Sequence, residues 1–405
     1  MKKIIVVLFM LLFFSFTVYG SYRDTGYITW KQPNGITFTA RNWGDEFFNW
    51  METKDGYRIV RGEGNWYYYA VLNNRGDFRP SKAKVGIDPP LKVSYKLKRT
   101  DVRISEIEAE IEEFNASIQS KLDLFTSGNK SSNTIGTKSL AVVLVDFTPS
   151  VRRPGTGPNE PYYKKADFDS LFFSTDFYWY DPIPGNEPIN PDGEEIYGSF
   201  RDFYSNQSIN QLDIIGAGSN NRSIINPAHS QYPTKPLWVT MPRSKSYYNQ
   251  YFSKAELRDS AKLEAETELG VDLDQYDVIG FINAGDGGDG ATWPSATGNM
   301  FSVTERWSTT FLHIGTPAHE FGHALLGAGD EYEGQLDPSY WIIMARGNDN
   351  GPNNKGSCPA PFAPPYRILF DWVSTTNASP PQSNKQIVYN ETNPNFYKVD
   401  VPNST

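Results

Sequence analysis

The chain has 405 residues, with 47 acidic side chains against 38 basic ones and a formal net charge of −9. Without a cluster of Lys and Arg, this balance excludes nucleic acid and anionic membranes as expected partners, because phosphate binding needs concentrated positive charge. The only cysteine is Cys358, which excludes an internal disulfide, so the fold must depend on its hydrophobic core and on any bound metal.

The first residues have the organisation of a secretory signal peptide. Lys2 and Lys3 precede an almost continuous apolar run over residues 4–16, and the tripeptide VYG ends at Gly20 with a small residue suited to cleavage. The apolar run is shorter than the roughly 20 residues that a membrane span needs. We therefore expect a signal peptide over residues 1–20, a secreted product and no membrane span.

The next region predicts a β-rich module followed by one long helix. The runs GITFTAR, GYRIVRG and NWYYYAVL are rich in β-forming residues and are separated by turn sequences between residues 27 and 95. Apolar residues then recur at helical spacing over residues 99–124. The polar stretch TSGNKSSNTIGT, residues 126–137, has no apolar period. We place the end of an N-terminal domain, residues 21–137, in this stretch.

Residues 138–375 predict a larger domain that mixes strands and helices, so the expected fold class is α+β. The apolar run LAVVLVDF, residues 140–147, suits a strand covered on both faces. Further strands are expected from Gln211 and over residues 276–283. The tail, residues 376–405, alternates apolar and polar residues and predicts the start of a C-terminal β segment.

Two serines mark the beginnings of helices in this domain. Ser199 can cap a short helix that runs through Tyr204. Ser253 and Glu256 have the spacing of a capping box, and the helix that they begin is expected to end near Gly270.

The segment GTPAHEFGHALLGAGDEYEG, residues 315–334, carries the chemistry of the chain. Thr316 is expected to be the N-cap of a helix and Pro317 its first residue. His319 and His323, four residues apart, then project from one helix face, where both imidazoles can reach one ion at about 2.0–2.1 Å. This spacing predicts a zinc site.

The residues around the histidines supply the other parts of a hydrolytic zinc site. Glu320 is adjacent to a ligand but is not one, and its carboxylate can take a proton from a water molecule that zinc activates. Gly327 and Gly329 allow the chain to turn back toward the metal. Asp330 is our first choice for the third ligand and Glu331 the second, and a solvated acidic turn is the alternative for this pair.

Two further residues near the motif have two interpretations each. Tyr332 follows the acidic pair, and it could donate a hydrogen bond to an oxyanion or merely pack. Met344 lies in the apolar run WIIM shortly after the zinc motif, where it could form a methionine turn beneath the metal or an ordinary part of the core.

HEFGH followed by GAGDEY, with Met344 in YWIIMARG, resembles the zinc peptidases of the metzincin type. More closely, the chain resembles family M6, the immune inhibitor A peptidases. ITFTARNWGDEFFNWMETKDGYRIV and NWYYYAVL resemble the N-terminal region of that family, and LAVVLVDF, GSFRDFYSNQSINQLDIIG and YDVIGFINAG resemble its catalytic domain. The spacing HExxHxxxGxxDEY has one residue more than the expected HExxHxxGxxD, and in this it is similar to family M64, which includes immunoglobulin A peptidases.

This resemblance implies a secreted zinc endopeptidase of metzincin-like fold that hydrolyses protein or peptide substrates. Zn²⁺ would be held by His319, His323 and Asp330, with Glu320 as base and then acid. Residues 21–137 would be a propeptide that keeps the enzyme latent. The acidic calcium loop that many such chains carry has no counterpart in LDQYDVIG, so no calcium site is predicted there. The alternative is a catalytically silent surface protein that binds host protein or glycan.

Overall fold

The computed structural model describes residues 23–24, 26–44, 47–62, 66–126, 134–152, 163–175, 191–192, 194–286, 290–307, 310–331, 340–351, 356–377 and 395–398. The predicted signal peptide and most of the predicted C-terminal segment lie outside these ranges. Within these ranges, no helix is both long enough and apolar enough to cross a bilayer. The chain is a mixed α+β protein that begins with an antiparallel sheet, which confirms the fold class in this coarse form.

The N-terminal region forms a seven-stranded antiparallel sheet. Its strands are β1 (Arg23–Asp24), β2 (Ile28–Lys31), β3 (Thr37–Gly44), β4 (Asn49–Thr53), β5 (Arg58–Arg61), β6 (Tyr67–Leu72) and β7 (Phe78–Lys84). They run in the order β1-β3-β4-β5-β6-β7, with β2 also paired to β3. Phe38, Ala40, Ile59 and Tyr69 are buried together in its core. The predicted β-rich module is therefore confirmed.

One long helix, α1 (Asp101–Thr126), follows this sheet where the apolar period predicts it. Phe114 and Ile118 are among its buried residues. In its first turn, Arg103 Nε lies 3.0 Å from Asp77 Oδ2, which joins the helix to the sheet.

The C-terminal half of α1 lies against the central domain. The Lys121 ammonium donates hydrogen bonds to the carbonyls of His323 at 3.0 Å, Ala324 at 2.7 Å and Gly298 at 2.7 Å. Burial lowers the pKa of Lys121 to about 8. A Cβ atom on Gly327 would lie 2.5 Å from the Cβ of the same lysine. One side chain of the N-terminal region thus binds the end of a helix in the central domain.

A second seven-stranded sheet forms the centre of the larger domain. The strands of this domain are β8 (Gly136–Phe147), β9 (Leu212–Gly216), β10 (Ala228–His229), β11 (Tyr232–Pro236), β12 (Val239–Met241), β13 (Val278–Asp286), β14 (Ser295–Thr297), β15 (Met300–Trp307) and β16 (Thr310–Phe311). The sheet order is β12-β8-β13-β15-β14, with β9 beside β8 and β16 beside β15, while β10 and β11 form a separate pair. In the large sheet, β14 and β16 run antiparallel to β15, and the other pairs are parallel. The apolar run in β8 is fully buried, as expected for a strand covered on both faces.

Helices cover both faces of this sheet. They are α2 (Lys165–Phe173), α3 (Phe200–Gln207), α4 (Lys245–Tyr251), α5 (Lys254–Leu269), α6 (Gly315–Phe321) and α7 (Pro364–Leu369). α4 and α5 pack on one face, and α2, α3 and α6 pack on the other. Capping boxes at Ser199 and Ser253 begin α3 and α5, and Gly270 ends α5 with a φ of 65°, as predicted.

Two short strands, β17 (Ser374–Asn377) and β18 (Asn395–Lys398), pair in parallel near the C-terminus. β18 lies within residues 376–405, for which the sequence predicts a β segment.

α6 and the turn after it carry the motif residues. α6 continues directly into a π-helical turn, Gly322–Leu326, which ends at Gly327 with a left-handed φ of 64°. The N–H of Gly327 donates to the carbonyls of both Gly322 and His323. The predicted stop at Gly327 is therefore confirmed, whereas the wider π-helical turn is a feature that the sequence does not predict.

The expectation that Thr316 caps this helix is wrong. α6 begins at Gly315, Ile314 occupies the cap position, and no side-chain hydrogen bond caps it. The N–H of Gly315 donates instead to the carbonyl of Gly356 at 2.9 Å. A main-chain partner from a later segment thus replaces the side-chain cap at this buried helix start. Pro317 is the third residue of α6 and not the first, a position whose N–H has no partner within the helix in any case.

Gly327→Ala should destabilise the chain more than Gly270→Ala does. Both glycines end helices with a left-handed backbone, which strains an alanine by about 1–2 kcal/mol. At Gly327 the new Cβ also meets Lys121, whereas nothing lies within 4 Å of a Cβ on Gly270. Chemical denaturation should show an additional loss of about 1–3 kcal/mol at Gly327, the cost of overpacking. Equal losses would mean that α1 does not contact this helix end in solution.

Candidate metal centre

Two histidines from adjacent helical turns face each other in the core of the central domain. His319 lies in α6 and His323 in the π-helical turn, and both side chains are buried, with at most 1% of their surface exposed. Their Nε2 atoms are 3.1 Å apart. The four-residue spacing therefore brings both rings to one point, as the sequence predicts.

The main chain fixes the orientation of both rings. His319 Nδ1 lies 2.8 Å from the carbonyl oxygen of Ile343, and His323 Nδ1 lies 2.6 Å from that of Ala328. A carbonyl can only accept a hydrogen bond, so each Nδ1 must carry its hydrogen. In the neutral tautomer, each Nε2 then presents a lone pair to its neighbour.

The turn after Gly327 brings a carboxylate to the same point. Asp330 Oδ1 lies 3.0 Å from His319 Nε2 and 3.4 Å from His323 Nε2. Asp330 itself is buried, and its Oδ2 has no hydrogen-bond partner among the residues that the structure describes. The structure thus brings together the two histidines and the residue that we prefer as third ligand.

These three atoms have the donor set and the spacing of a zinc site. Ligand atoms that bind one ion at about 2.0–2.1 Å with tetrahedral angles lie about 3.4 Å from one another. Three acceptor atoms held this close repel each other unless a positive charge lies between them. Burial alone would lower the pKa of His319, but its hydrogen bond to Asp330 raises that pKa to about 10, so the position strongly attracts positive charge. The three residues therefore fit a bound Zn²⁺.

Glu320 follows His319 in α6. It is buried, and its Oε2 has no hydrogen-bond partner within the described ranges. Burial raises the pKa of Glu320 to about 7, against the opposing effect of His319. A carboxylate with this pKa can both accept and return a proton near neutral pH.

The second choice for the third ligand, Glu331, does not join the cluster. Its N–H donates to the carbonyl of Met344 at 2.7 Å, and its Oε2 is buried without a hydrogen-bond partner in the described part of the chain. Burial, and then the charge of Asp330, raise the pKa of Glu331 to about 7. Tyr332, the suggested oxyanion donor, lies outside the described residues.

Met344 is fully buried and packs against the helical segment that carries the two histidines. A Cβ on Gly322 would lie 2.9 Å from Met344 Sδ, so the sulfur packs directly against this glycine. The residue before it, Ile343, supplies the carbonyl that orients His319. The segment around Met344 therefore packs against the helix and orients His319, while the methionine turn stays a prediction.

Two tyrosines that the sequence analysis does not single out also hold this site. Tyr204 donates a hydrogen bond to the carbonyl of Ala318 at 2.5 Å, from within the core. Tyr366 Oη accepts a hydrogen bond from the N–H of Gly329 at 2.7 Å and lies 3.1 Å from the carbonyl of that residue. Burial raises the pKa of Tyr366 above its ordinary range, so the hydroxyl keeps its proton. No motif marks either tyrosine, since each acts on the main chain.

The N-terminal region packs against His323. The Phe114 ring of α1 meets the His323 ring edge-on, with centroids 5.1 Å apart. Phe47 packs on Phe114 at 5.5 Å, and the Lys254 ammonium lies 4.9 Å from the Phe47 ring centroid. The ring of His323 is thus in direct contact with the N-terminal region.

A second group of acidic side chains lies in and just before LDQYDVIG, residues 273–280, where no calcium site is predicted. Carboxylate oxygens of Glu266, Asp272 and Asp274 lie within 4.8 Å of one another at the surface. The Lys262 ammonium is 2.5 Å from Asp274 and 3.7 Å from Glu266, so a lysine already neutralises part of this charge.

No protein-family model matches the chain, and no curated protein matches it.

Zinc titration should give about one bound ion per chain, with Asp330→Ala and Glu331→Ala as the decisive pair. His319→Ala, His323→Ala and Asp330→Ala should each weaken binding by more than about 100-fold, because losing a ligand costs more than losing an outer hydrogen-bond partner. Glu331→Ala should leave the affinity within a few-fold of wild type. Competition with a chromophoric chelator measures all four. The reverse order for the two acidic residues would assign the third ligand to Glu331.

Proposed function

We propose that this chain is a secreted zinc-dependent endopeptidase that hydrolyses protein or peptide substrates. The observation that carries the proposal is the convergence of His319, His323 and Asp330 on one point, with the buried carboxylate of Glu320 beside it. The resemblance of HEFGH and GAGDEY to the metzincin-type peptidases of families M6 and M64 supports the same reading. The apolar start of the chain supports secretion.

Glu320 would move the proton in this reaction. Bound zinc supplies a Lewis acid that polarises the scissile carbonyl and lowers the pKa of water. Glu320 accepts a proton from the attacking water as the oxygen of that water bonds to the carbonyl carbon. The same carboxyl then gives this proton to the amide nitrogen as the carbon–nitrogen bond breaks. Burial raises the pKa of Glu320, which favours the uptake and return of the proton.

The histidines and Asp330 have the complementary task of holding the ion without movement. Both imidazole rings are oriented by carbonyls of their own domain, so neither ring must be ordered when the ion binds. With one carboxylate and two neutral histidines as ligands, the site keeps a net charge of +1, which favours attack on a polarised carbonyl.

We further propose that residues 21–137 keep the enzyme latent by covering this centre. A peptide must reach Glu320 to be cleaved, and Phe114 and Lys121 of α1 lie against the helix turn beside it. The site residues are buried while these contacts persist. The boundary stretch, residues 126–137, is polar and rich in small residues, which suits proteolytic release.

Glu320→Gln should abolish hydrolysis while zinc binding is retained. The amide cannot take a proton from water, and loss of a general base typically costs 10²–10⁴ in rate. Because the same residue returns the proton, we expect a loss near or beyond about 10⁴. Casein cleavage and zinc affinity measured on the same preparation test this.

The matched control is Glu331→Gln, the same chemical change in a second buried carboxyl of similar pKa. It should keep most of the activity. Cleavage by Glu320→Gln at close to the wild-type rate, after contaminating proteases are excluded, would contradict the endopeptidase proposal and favour a silent binding protein.

Phe114→Ala in the full chain should raise activity by about tenfold or more. The contact of Phe114 with His323 and Phe47 helps to hold α1 on the site, and loss of a buried Phe side chain costs about 3–5 kcal/mol, where 1.4 kcal/mol already shifts an equilibrium tenfold. Val102→Ala on the same helix is the control, since 70% of Val102 is exposed.

A chain that begins at Thr134 should show the same gain. It keeps all of β8 and the hydrogen bond from Trp372 Nε1 to the Thr134 carbonyl at 2.7 Å. If this chain folds and binds zinc but is no more active than the full chain, the N-terminal region is a structural domain and not a latency segment.

A further inference from the structure

Asp330 reaches the other two ligands from a turn that has little stiffness of its own. The turn runs from Gly327 through Ala328 and Gly329, and glycine loses more conformational freedom on ordering than any other residue. A carboxylate on a loose turn binds an ion weakly, because the turn must become ordered when the ion binds. The N–H groups of Gly327 and Ala328 donate to carbonyls of the π-helical turn and hold the start of the turn, so the part next to Asp330 depends on other contacts.

Three further contacts hold the main chain around this turn. The Ala328 carbonyl lies 2.6 Å from His323 Nδ1, and the N–H of Glu331 donates to the carbonyl of Met344 at 2.7 Å. Between them, the Tyr366 hydroxyl accepts from the N–H of Gly329 at 2.7 Å and donates to the carbonyl of the same residue at 3.1 Å. One hydroxyl thus fixes both polar main-chain groups of the residue that precedes Asp330.

Tyr366 is itself held rigidly. It lies in α7, and its ring stacks on Phe370 with centroids 5.6 Å apart and an angle of 18° between the ring planes. Phe370 is fully buried against Phe362 and Trp372. The hydroxyl is therefore presented from the hydrophobic core, at a fixed distance from the turn.

We propose that Tyr366 is a positioning residue for the metal centre, which acts by clamping Gly329 so that Asp330 is already directed at the two histidines before the ion binds. This inference rests on the proposed function only in taking zinc as the ion. The hydroxyl is committed to both main-chain groups of Gly329, and its role is to preorganise a ligand and not to contact the substrate.

The test is the zinc affinity of the full chain carrying Tyr366→Phe. The variant keeps the aromatic ring and its stacking on Phe370 and loses only the hydroxyl. Loss of an outer partner of a metal ligand typically weakens binding by 10–100-fold, and we expect at least about 10-fold here. Competition with a chromophoric chelator gives the affinity, and thermal unfolding of the chelator-treated chain gives its stability without zinc.

Tyr163→Phe is the matched control. Tyr163 is buried, packs on Phe168 and Phe311, and donates through its hydroxyl to Asp192 at 3.0 Å. It should lower the unfolding temperature about as much as Tyr366→Phe does, yet leave zinc affinity within about threefold of wild type.

Three results would overturn the inference. If Tyr366→Phe binds zinc as tightly as wild type does, Tyr366 is not a positioning residue, although the metal site itself stands. An equal loss of affinity in both tyrosine variants would reduce Tyr366 to a general contribution to stability. A wild-type chain that binds no zinc would overturn the clamp and the proposed function together, which separates that failure from the first two.

Discussion

Two imidazole nitrogens and one carboxylate oxygen are held within 3.4 Å of one another in the core of the central domain. Such a group is unfavourable unless a proton or a cation lies between its members, because lone pairs repel and a buried carboxylate needs a partner. It persists only if the surrounding structure prevents the three side chains from turning apart. Contacts within the central domain provide this restraint.

The restraint is applied mainly through main-chain atoms. Carbonyls of Ile343 and Ala328 orient the two rings, the carbonyl of Met344 binds the residue after the carboxylate, and tyrosine hydroxyls bind the carbonyl of Ala318 and both polar groups of Gly329. Main-chain groups move less than side chains once a domain has packed, so they hold ligands more precisely than a second layer of flexible polar side chains would. The Met344 segment and α7 both reach this point and supply such contacts.

Structural features that depend on one segment of the sequence could be predicted, whereas contacts that form where several distant segments meet could not. The apolar run in β8, the period of α1 and the pair His319 and His323 are local patterns, and each predicts its structure correctly. Asp330 could be preferred over Glu331 because the glycines that turn the chain lie just before it. Thr316 was wrongly expected to be a cap, because the partner of the helix start comes from Gly356, a distant residue. The carbonyl partners of the histidines leave no trace in residue identity, since every residue has a carbonyl. Phe114 has the period of a buried residue, but nothing in its spacing says that its neighbour is His323.

The π-helical turn of Gly322–Leu326 changes how the spacing of the motif should be interpreted. A π-helical turn closes its hydrogen bond over five residues and not four, so it contains one more residue than an α-helical turn between the same two ends. The sequence has one more residue between His323 and Gly327 than the pattern HExxHxxG, and the π-helical turn lies over these same residues. The number of residues between the histidine and the glycine in such a pattern therefore depends on the pitch of the helix as well as on the ligands. A search that fixes this gap would pass over chains in which the same ligands are brought together by a helix of different pitch.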